Sequence, residues 1–472
     1  MRRTLSHEQK REKEDIARAY RLNNQTENVP WTVRNALLKG NWASKISFLI
    51  MGFGNLIYGQ VIKGFLWLLT QALYIYFMIT SGLENLSLFG SLGWLEQQEV
   101  WNPEKAIYEY QAGHNSVLIL LWGVITICIT VAFIFIWRSS VRSSYKAEYI
   151  KNEGFEPASF SSDVKSLFNH RIQGLLLSLP VLGTLTFSVL PLIFMISMAF
   201  TSYSRETNSL VLFDWTGFDN FSRVLQLNNA IGKTFWPVVG WTFIWAVFAT
   251  ALNFIFGLLL AMMINRKRTR LKSVWRVSFA ATIAVPQFVS LLVIRQMLAA
   301  NGPINLFLIA QNVIKDPIPF WTNPNLARIM VIVINLWVGI PYTILQVTGI
   351  LQNFPEEFRE AARIDGASEA QTFRHITLPY ILQIMGPFLI TQFTGNVNNF
   401  NVIYLLTGGG PARFGSTAGY TDLLVTWLYK LTVDNQFYNI GSVIGIFTFI
   451  VLSVVALTLY RFTSASKREG GK

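Results

Sequence analysis

The feature that most constrains this chain is a series of long apolar stretches separated by polar segments. A helix needs about 20 apolar residues to cross the hydrocarbon core of a bilayer. A ninth and shorter stretch, 46–61, is interrupted by Gly52, Gly54 and Asn55, so we expect an interfacial or re-entrant segment there. We predict eight membrane spans, at 62–80, 117–137, 175–200, 236–263, 274–299, 329–351, 379–393 with a polar continuation, and 440–460.

The composition supports a membrane protein over the other classes. Charged residues make up 14% of the 472 residues, whereas soluble domains carry about 25%. This excludes a disordered chain and an ordinary soluble enzyme. The single cysteine, Cys128, allows no disulfide within the chain, and the four histidines are scattered without metal-ligand spacing. The predicted fold class is an all-α polytopic membrane protein with no metal site.

The distribution of basic residues predicts the orientation. Cytosolic loops of membrane proteins carry the excess of Lys and Arg. Segments 1–45, 138–174 and 265–276 are rich in them, whereas 83–114 and 300–325 each contain a single Lys. Eight spans with both termini in the cytosol satisfy this rule. We read the net charge of +13 as a topology signal and a contact with anionic lipid, and we expect no nucleic-acid partner.

One predicted cytosolic segment, 352–378, breaks the charge pattern, because its sequence QNFPEEFREAARIDGASEAQTFRHITL is net acidic. Pro355 suits the first turn of a helix, and Gly366 suits the left-handed residue that ends one. Ser368 and Gln371 form an S-x-x-Q capping box, which starts a second short helix. We predict a helix–turn–helix on the cytosolic face, with the next span opening directly after it.

Six residues of this segment and the proline directly after it have a distinctive spacing: Glu360, Ala361, Ala362, Gly366, Ile376, Leu378 and Pro379. The spacing resembles the coupling loop of bacterial ABC importer permeases, in which these positions contact an ATPase. Residues 175–461 resemble the six-helix core of the sugar-importer class, with coupling loop 355–378 inside it. The segment 62–174 then supplies two accessory helices, and 1–45 and 462–472 are cytosolic tails.

Further motifs narrow the resemblance. They are NLWVGIPY at 335–342, NVNNF at 396–400, GGGP at 408–411 and GYTDLL at 419–424. These are similar to motifs in the larger permease subunit of maltose/maltodextrin importers.

The resemblance implies a permease subunit of an ATP-driven, binding-protein-dependent importer of oligosaccharides, most similar to the maltodextrin type, in the bacterial cell membrane. It implies alternating access and three kinds of partner: a second, smaller permease, an ATPase dimer and an extracytoplasmic sugar-binding protein. The chain itself is then no enzyme and needs no cofactor, since ATP and Mg are bound by the ATPase.

Two spans carry polar residues that could face an internal cavity. Asn335, Gly339 and Tyr342 share one helix face, and Asn396 and Asn399, three residues apart, are expected to share another. Asparagines in membrane helices also join helices by hydrogen bonds, and the pattern leaves both interpretations open. The resemblance assigns sugar contacts to Asn335, Val338, Gly339, Tyr342, Asn396, Asn399 and Ser290.

Departures from the family affect the substrate and the docking of the binding protein. Gly395 stands where the family has an aromatic sugar contact, and we expect it to let the helix bend or unwind. The external loop 201–235 is too short for a large folded domain. We therefore expect the binding protein to dock on 300–325 and 394–437, with a contribution from 83–114.

Three alternatives remain from the residues. An ABC importer for another oligosaccharide, such as a galacto-oligosaccharide, has the same signature. An ion-coupled secondary transporter needs carboxylates inside the membrane, and the assigned spans contain no Asp or Glu. A membrane-embedded glycan enzyme needs paired carboxylates or a metal cluster, and the acids of 83–114 are scattered.

Overall fold

The computed structural model describes residues 18, 29–103, 105–169, 172–266 and 268–461. Most of the predicted N-terminal tail and the tail 462–472 lie outside the described residues. The chain divides into two compact units, Met1–Ser197 with Leu210–Trp215, and Met198–Ser209 with Thr216–Lys472. The predicted division of the chain, with the permease core starting at 175, stays a prediction.

The first unit is helical with one hairpin. Its elements are α1 (Val33–Lys39), α2 (Trp42–Ile46), α3 (Phe53–Ile57), α4 (Val61–Phe77), α5 (Leu83–Phe89), β1 (Gln98–Asn102), β2 (Ile107–Gln111), α6 (Ser116–Asn152), α7 (Phe160–Phe168), α8 (Ile172–Thr184) and α9 (Leu190–Met198, whose last residue falls in the second unit). Single π-helical turns, Met78–Gly82 and Leu185–Val189, join α4 to α5 and α8 to α9.

The segment 46–61 forms short helical turns packed against α6. The buried Asn55 holds it there, because its amide donates to Ser143 Oγ at 3.0 Å and its carbonyl oxygen accepts from Ser144 Oγ at 2.8 Å. Gly52 has a φ of +78° and closely approaches Gly64, so the chain turns back at this point. The interfacial or re-entrant placement of this segment stays a prediction.

The hairpin β1–β2 lies in the segment 83–114, which is predicted to be external, and the hairpin itself was not predicted from the sequence. Trp101 packs edge-on against Tyr108 with ring centroids 5.1 Å apart, and Lys105 Nζ lies 2.7 Å from Glu109 Oε1. The hydrogen bond from Lys105 lowers the pKa of Glu109. Trp101 and Tyr108 are opposite each other in the two strands, and such a cross-strand pair stabilises a two-stranded sheet, whereas Lys105 lies in the connecting turn. The strand Gln98–Asn102 shows no alternation of apolar and polar residues, so the sequence pattern did not indicate it.

The second unit holds the remaining helices. They are α10 (Asp219–Leu225), α11 (Ala230–Asn265), α12 (Lys272–Ala284), α13 (Gln287–Met297), α14 (Pro303–Ala310), α15 (Pro324–Gln352), α16 (Glu356–Ile364), α17 (Glu369–Thr372), α18 (Leu378–Val397), α19 (Phe400–Thr407), α20 (Leu424–Tyr429) and α21 (Tyr438–Arg461). A π-helical turn, Phe373–Thr377, joins α17 to α18, and another, Lys430–Asp434, follows α20.

Three long helices, α11, α15 and α18, pack together in this unit. Near one end they share an apolar cluster that includes Trp245, Ile334 and Phe393. Near the other end they share a cluster that includes Leu258 and Ile381. The numbering along α18 therefore runs opposite to that along α11.

The helices α11 and α15 run in the same direction at close range. A Cβ on Gly257 would lie 2.5 Å from Thr343 Cβ, and a Cβ on Gly339 would lie 2.1 Å from Asn253 Nδ2. Both pairs step by four residues along both helices, as a parallel pair requires. The small residues Gly257 and Gly339 therefore let the two backbones approach.

Seven helices in the described part of the chain are long and apolar enough to cross a membrane, or eight if a bent pair counts as one span. They indicate a multi-pass membrane protein. The bent pair is α12 with α13, whose axes differ by 88°. The expected single helix over 274–299 is therefore wrong, because the chain leaves helical geometry at Val285 and Pro286. The count of eight spans and the cytosolic termini stay predictions.

Candidate coupling loop and polar membrane site

The predicted coupling loop begins with the short helix α16. Pro355 occupies its N-cap position, directly before the first helical residue, and Glu356 and Glu357 lie in the first turn, where negative charge complements the helix dipole. Gly366 has a φ of +76°, which confirms the predicted left-handed residue. The amide of Gly366 donates to the carbonyl of Arg363 at 3.1 Å, and that of Ala367 to Ala362 at 2.9 Å, so the helix ends in a Schellman motif.

The predicted capping box is confirmed: Ser368 Oγ accepts from the Gln371 amide, and Gln371 Oε1 accepts from the Ser368 amide at 2.8 Å. The second arm is not a separate short helix, however. Helical backbone runs unbroken from Glu369 to Val397, and Pro379 lies in the first turn of α18. A proline inside a helix removes one backbone hydrogen bond, and the π-helical turn Phe373–Thr377 just before it is the local adjustment that accommodates this loss.

The residues assigned to the ATPase contact differ in exposure. Ala362 is buried, Ile376 and Leu378 are half-buried, and Glu360, Ala361 and Pro379 are exposed.

The loop also presents apolar side chains that the sequence did not single out. Ile364 is 86% exposed and Phe358 is 51% exposed. Under them, the buried Phe354 packs edge-on against Tyr380 of α18 with centroids 4.9 Å apart. The helix α16 is therefore fixed to α18 at its base, while Phe358 and Ile364 lie among exposed charged residues and are not covered by the described part of this chain.

The predicted sugar contacts on α15 lie in different environments. Asn335 is 3% exposed, and its Nδ2 has no hydrogen-bond partner among the described residues. Gly339, one turn further, lies against Asn253 of α11. Tyr342 is 49% exposed, and Val338 is half-buried against the apolar cluster that contains Trp245.

At the end of α18 the expected shared face of Asn396 and Asn399 is wrong. The helix ends at Val397, and Asn399 caps the next helix, α19, by accepting from the Val402 amide at 3.2 Å. Asn396 is buried, and its Nδ2 donates to Thr250 Oγ1 of α11 at 2.9 Å. The interruption expected near Gly395 instead falls at 398–399, where the Asn399 side chain caps the start of α19.

The last assigned sugar contact, Ser290, is half-buried on α13. That helix packs on α19, so Ser290 belongs to the same unit as the other assigned residues. An apolar groove of about 960 Å³ lies between α11, α18 and α21 and is lined by residues that include Phe243, Thr250 and Phe393. Thr250 therefore lies between this groove and the buried Asn396.

Two polar residues that the sequence did not single out lie in this region. Asn253 is 2% exposed with no partner for its Oδ1, and the half-buried Gln392 has none for its Oε1 among the described residues. The signal that could have found Asn253 was an isolated asparagine inside a long apolar span, because polar groups there are expensive.

The glycine-rich segment 408–411 is part of a tightly built loop. Gly408 and Gly409 both have positive φ, in line with the expected turn chemistry, and a Cβ on Gly409 would lie 1.9 Å from Asp422 Oδ1. Asp422 is fully buried and accepts from Lys430 Nζ at 2.6 Å and from the Gly419 amide at 2.7 Å. Phe414, at the tip, is fully exposed. No group of metal-ligating side chains occurs among the described residues.

The chain matches a known family of transport proteins and several of its members. Residues 253–469 match the family described as binding-protein-dependent transport system inner membrane component. The chain is 34% identical over 429 residues to the galactooligosaccharides transport system permease protein GanP of Bacillus subtilis, covering 89% of this chain and 97% of that protein. It is 30% identical over 436 residues to the maltodextrin transport system permease protein MdxF of the same organism, covering 89% and 95%.

Other matches are partial. The maltose/maltodextrin transport system permease protein MalF of Klebsiella aerogenes is 35% identical over 254 residues, which is 52% of this chain and 49% of that protein. A crystal structure of a bacterial ABC transporter for the acidic polysaccharide alginate shares the fold, with a TM-score of 0.52 at 22% identity over 63% of this chain and 96% of that chain. The chain belongs to the binding-protein-dependent sugar permeases, as a relative of the larger permease subunit of maltose/maltodextrin-type ABC importers.

Proposed function

We propose that this chain forms the translocation path of an ATP-driven oligosaccharide importer together with a second, smaller permease. An ATPase dimer engages α16 on the cytosolic face, and an extracytoplasmic binding protein delivers the sugar. The observation that carries the proposal is the coupling loop. It combines a Schellman-terminated helix with an exposed Ile364 and a base fixed to α18. The exposed Phe358 and Ile364 offer apolar contacts to such a partner, and the charged residues around them offer polar contacts.

The helix that connects the coupling loop to the polar membrane site supports a lever mechanism, in which a movement of α16 is transmitted to Asn396. The unbroken helix from Glu369 to Val397 is on the order of 40 Å long at 1.5 Å per residue. One end adjoins α16, and the other carries Asn396. A displacement of α16 in a groove of the ATPase is carried along this helix, because a continuous helix is stiff along its axis. Alternating access then follows from the closing and reopening of the ATPase dimer.

The proposed substrate is a neutral oligosaccharide. The assigned contacts are amides, a tyrosine and small residues, which match sugar hydroxyls and ring faces and carry no charge. Maltodextrin is the proposed sugar, on the shared motifs and the similarity to MdxF. Galacto-oligosaccharide is the second candidate, favoured by the 34% identity to GanP over nearly the whole of that protein.

The chain performs no covalent chemistry in this proposal. ATP and Mg are bound by the partner ATPase, and the work of hydrolysis reaches this chain only through α16.

Uptake into liposomes tests the proposal. The complete complex is reconstituted with its binding protein outside and ATP inside, and uptake of labelled maltotriose and galactotriose is measured. We expect uptake of one or both that is lost when the catalytic glutamate of the ATPase is replaced. Uptake that survives this replacement and follows an ion gradient would instead establish a secondary transporter.

A further inference from the structure

Two arginines on the predicted external side of the second unit flank one tyrosine ring. The Cζ atoms of Arg328 and Arg413 each lie 5.7 Å from the centroid of the Tyr420 ring. Neither arginine forms an ion pair with a carboxylate among the described residues. Asp422, two residues from Tyr420, is fully buried and already pairs with Lys430. Two positive charges therefore lie near each other without a carboxylate of the described chain to balance them.

Internal packing explains the position of Arg328 but leaves its outer nitrogens available. Its Cζ lies 4.5 Å from the centroid of the Trp241 ring, and its Nε donates to the Tyr420 carbonyl at 2.8 Å. The Nη1 and Nη2 atoms have no acceptor within the described part of the chain, and they are not sealed inside it. A guanidinium that is already held in place loses little further freedom when it binds a planar anion.

Arg413 has no structural role that would account for its charge. It makes no side-chain hydrogen bond in the described ranges, and its nitrogens are also accessible. It adjoins Phe414, which is fully exposed at the loop tip. Its positive charge acts unfavourably on that of Arg328, and like charges placed together cost free energy. A clamp that only holds the loop would need Arg328 alone.

A cavity of about 330 Å³ opens beside this arginine pair, and its lining includes a third arginine, Arg295, together with Trp321 and Thr407. Arg295 is exposed and makes no ion pair with the carboxylates that the structure describes. Thr407 Oγ1 lies 2.7 Å from Thr421 Oγ1, and Thr421 directly follows Tyr420. The cavity and the pair are therefore contiguous, and we call them the arginine surface: Arg295, Arg328, Arg413 and Tyr420.

The position along α15 shows from which side a partner reaches the arginine surface. Arg328 lies near the start of α15, whereas the coupling loop follows its last residue, Gln352. The surface is therefore at the opposite end of α15 from the coupling loop, which is the external side when that loop contacts the ATPase. The proposed sugar is neutral and gives no reason for three cations. A lipid headgroup does not fit either, because the Arg328 guanidinium rests on the buried Trp241 inside the bundle.

We propose that the arginine surface docks the extracytoplasmic binding protein through acidic side chains of that protein. This rests on the proposed function and names the residues of this chain that recognise the partner. Carboxylates of the binding protein pair with Arg328 and Arg413, whose planar guanidinium groups match carboxylate geometry. A neighbouring side chain of the binding protein occupies the cavity beside Arg295. Complementary charge speeds the encounter and fixes the orientation of the docked protein.

The test measures the dissociation constant of the reconstituted complex for its sugar-loaded binding protein, at low and at high salt. Arg413→Gln and Arg295→Gln each remove one charge and no hydrogen bond made by a described side chain. Arg413→Lys keeps the charge. The matched control is Arg205→Gln, which removes the same charge from an exposed residue in the other predicted external segment of this unit, 201–235.

We expect Arg413→Gln and Arg295→Gln to raise the dissociation constant by about three- to tenfold at low salt. The increase should shrink at high salt, because salt screens exposed charge pairs. Arg413→Lys should keep most of the affinity, and Arg205→Gln should change it by less than about twofold. A folding defect would instead lower the melting temperature and weaken binding equally at both salt concentrations.

Dissociation constants for Arg413→Gln and Arg295→Gln that both match the Arg205→Gln control would overturn the docking surface. Normal binding combined with a loss of uptake of an acidic oligosaccharide would also overturn it, because the arginines would then contact the substrate. The binding measurement needs no transport. Failure of the proposed function is therefore seen separately, as the absence of ATP-dependent sugar uptake by the unsubstituted complex.

Discussion

Replacing Gly366 tests the coupling loop at the position where its geometry is most demanding. The residue has a φ of +76°, and a Cβ added there would have no described atom within 4 Å. Within the described part of this chain, a Cβ at Gly366 therefore meets no obstacle, and the cost of Gly366→Val to the loop itself is backbone strain. Val must either adopt the left-handed conformation or release the two hydrogen bonds from the Gly366 and Ala367 amides.

The free-energy cost of Gly366→Val follows from the backbone conformation alone. A left-handed conformation costs about 1–2 kcal/mol for a residue with a Cβ, and strained positions reach about 3 kcal/mol. Since about 1.4 kcal/mol is a factor of ten, the fraction of loops with the native α16 ending should fall by on the order of tenfold or more. Gly366→Asn should be milder, because Asn tolerates this region.

The assay measures co-purification of the ATPase and the number of sugars imported per ATP hydrolysed. The control is Gly349→Ala in α15, where a Cβ also meets no described atom within 4 Å but φ is helical. That change should be neutral or stabilising. If Gly366→Val matches the control in both measurements, the left-handed turn is not needed for coupling and the lever is refuted.

Three other substitutions separate packing from docking. Gly339→Ala drives a Cβ into Asn253 and should cost about 1–3 kcal/mol by overpacking, measured as a lower melting temperature of the purified complex. Lys430→Met leaves the fully buried Asp422 without its ion-pair partner and should cost about 3–5 kcal/mol, with recovery in the double variant that adds Asp422→Asn, by the same measurement. Phe414→Ala should leave the melting temperature unchanged and raise the binding-protein concentration that gives half-maximal ATPase stimulation, as loss of an exposed aromatic anchor does.

The coupling loop could be predicted because its chemistry is local. A proline, a glycine and a capping box fix the ends of α16 and the start of α17 within a few residues, and each was found where the sequence put it. The spans were predictable in outline for a similar reason, since length and apolarity are local properties.

Breaks inside the spans were not predictable, because the same residue type acts differently in different places. Pro180, Pro237, Pro341 and Pro387 all lie inside continuous helices. Pro286, in contrast, coincides with an 88° bend. Neighbouring helices decide whether a proline is absorbed or ends a helix, and a single sequence does not specify those neighbours.

The two asparagines that the sequence treated alike, Asn335 and Asn396, have different surroundings in the structure. The Asn396 side chain donates a hydrogen bond to Thr250, and the Asn396 backbone carbonyl accepts one from Trp245 Nε1 at 2.9 Å. In contrast, Asn335 Nδ2 has no partner among the described residues. A substitution at Asn396 therefore loses an interhelical bond, worth about 0.6–2 kcal/mol, and should lower the melting temperature. Asn335→Leu removes a polar group without a partner, and this change is neutral or stabilising for the fold. A loss of transport in this variant would therefore reflect the loss of a contact with the sugar. The melting temperature of the complex and its sugar uptake, measured for both variants, show whether each asparagine joins helices or contacts the sugar. Equal destabilisation by both would mean that Asn335 also serves only to join helices.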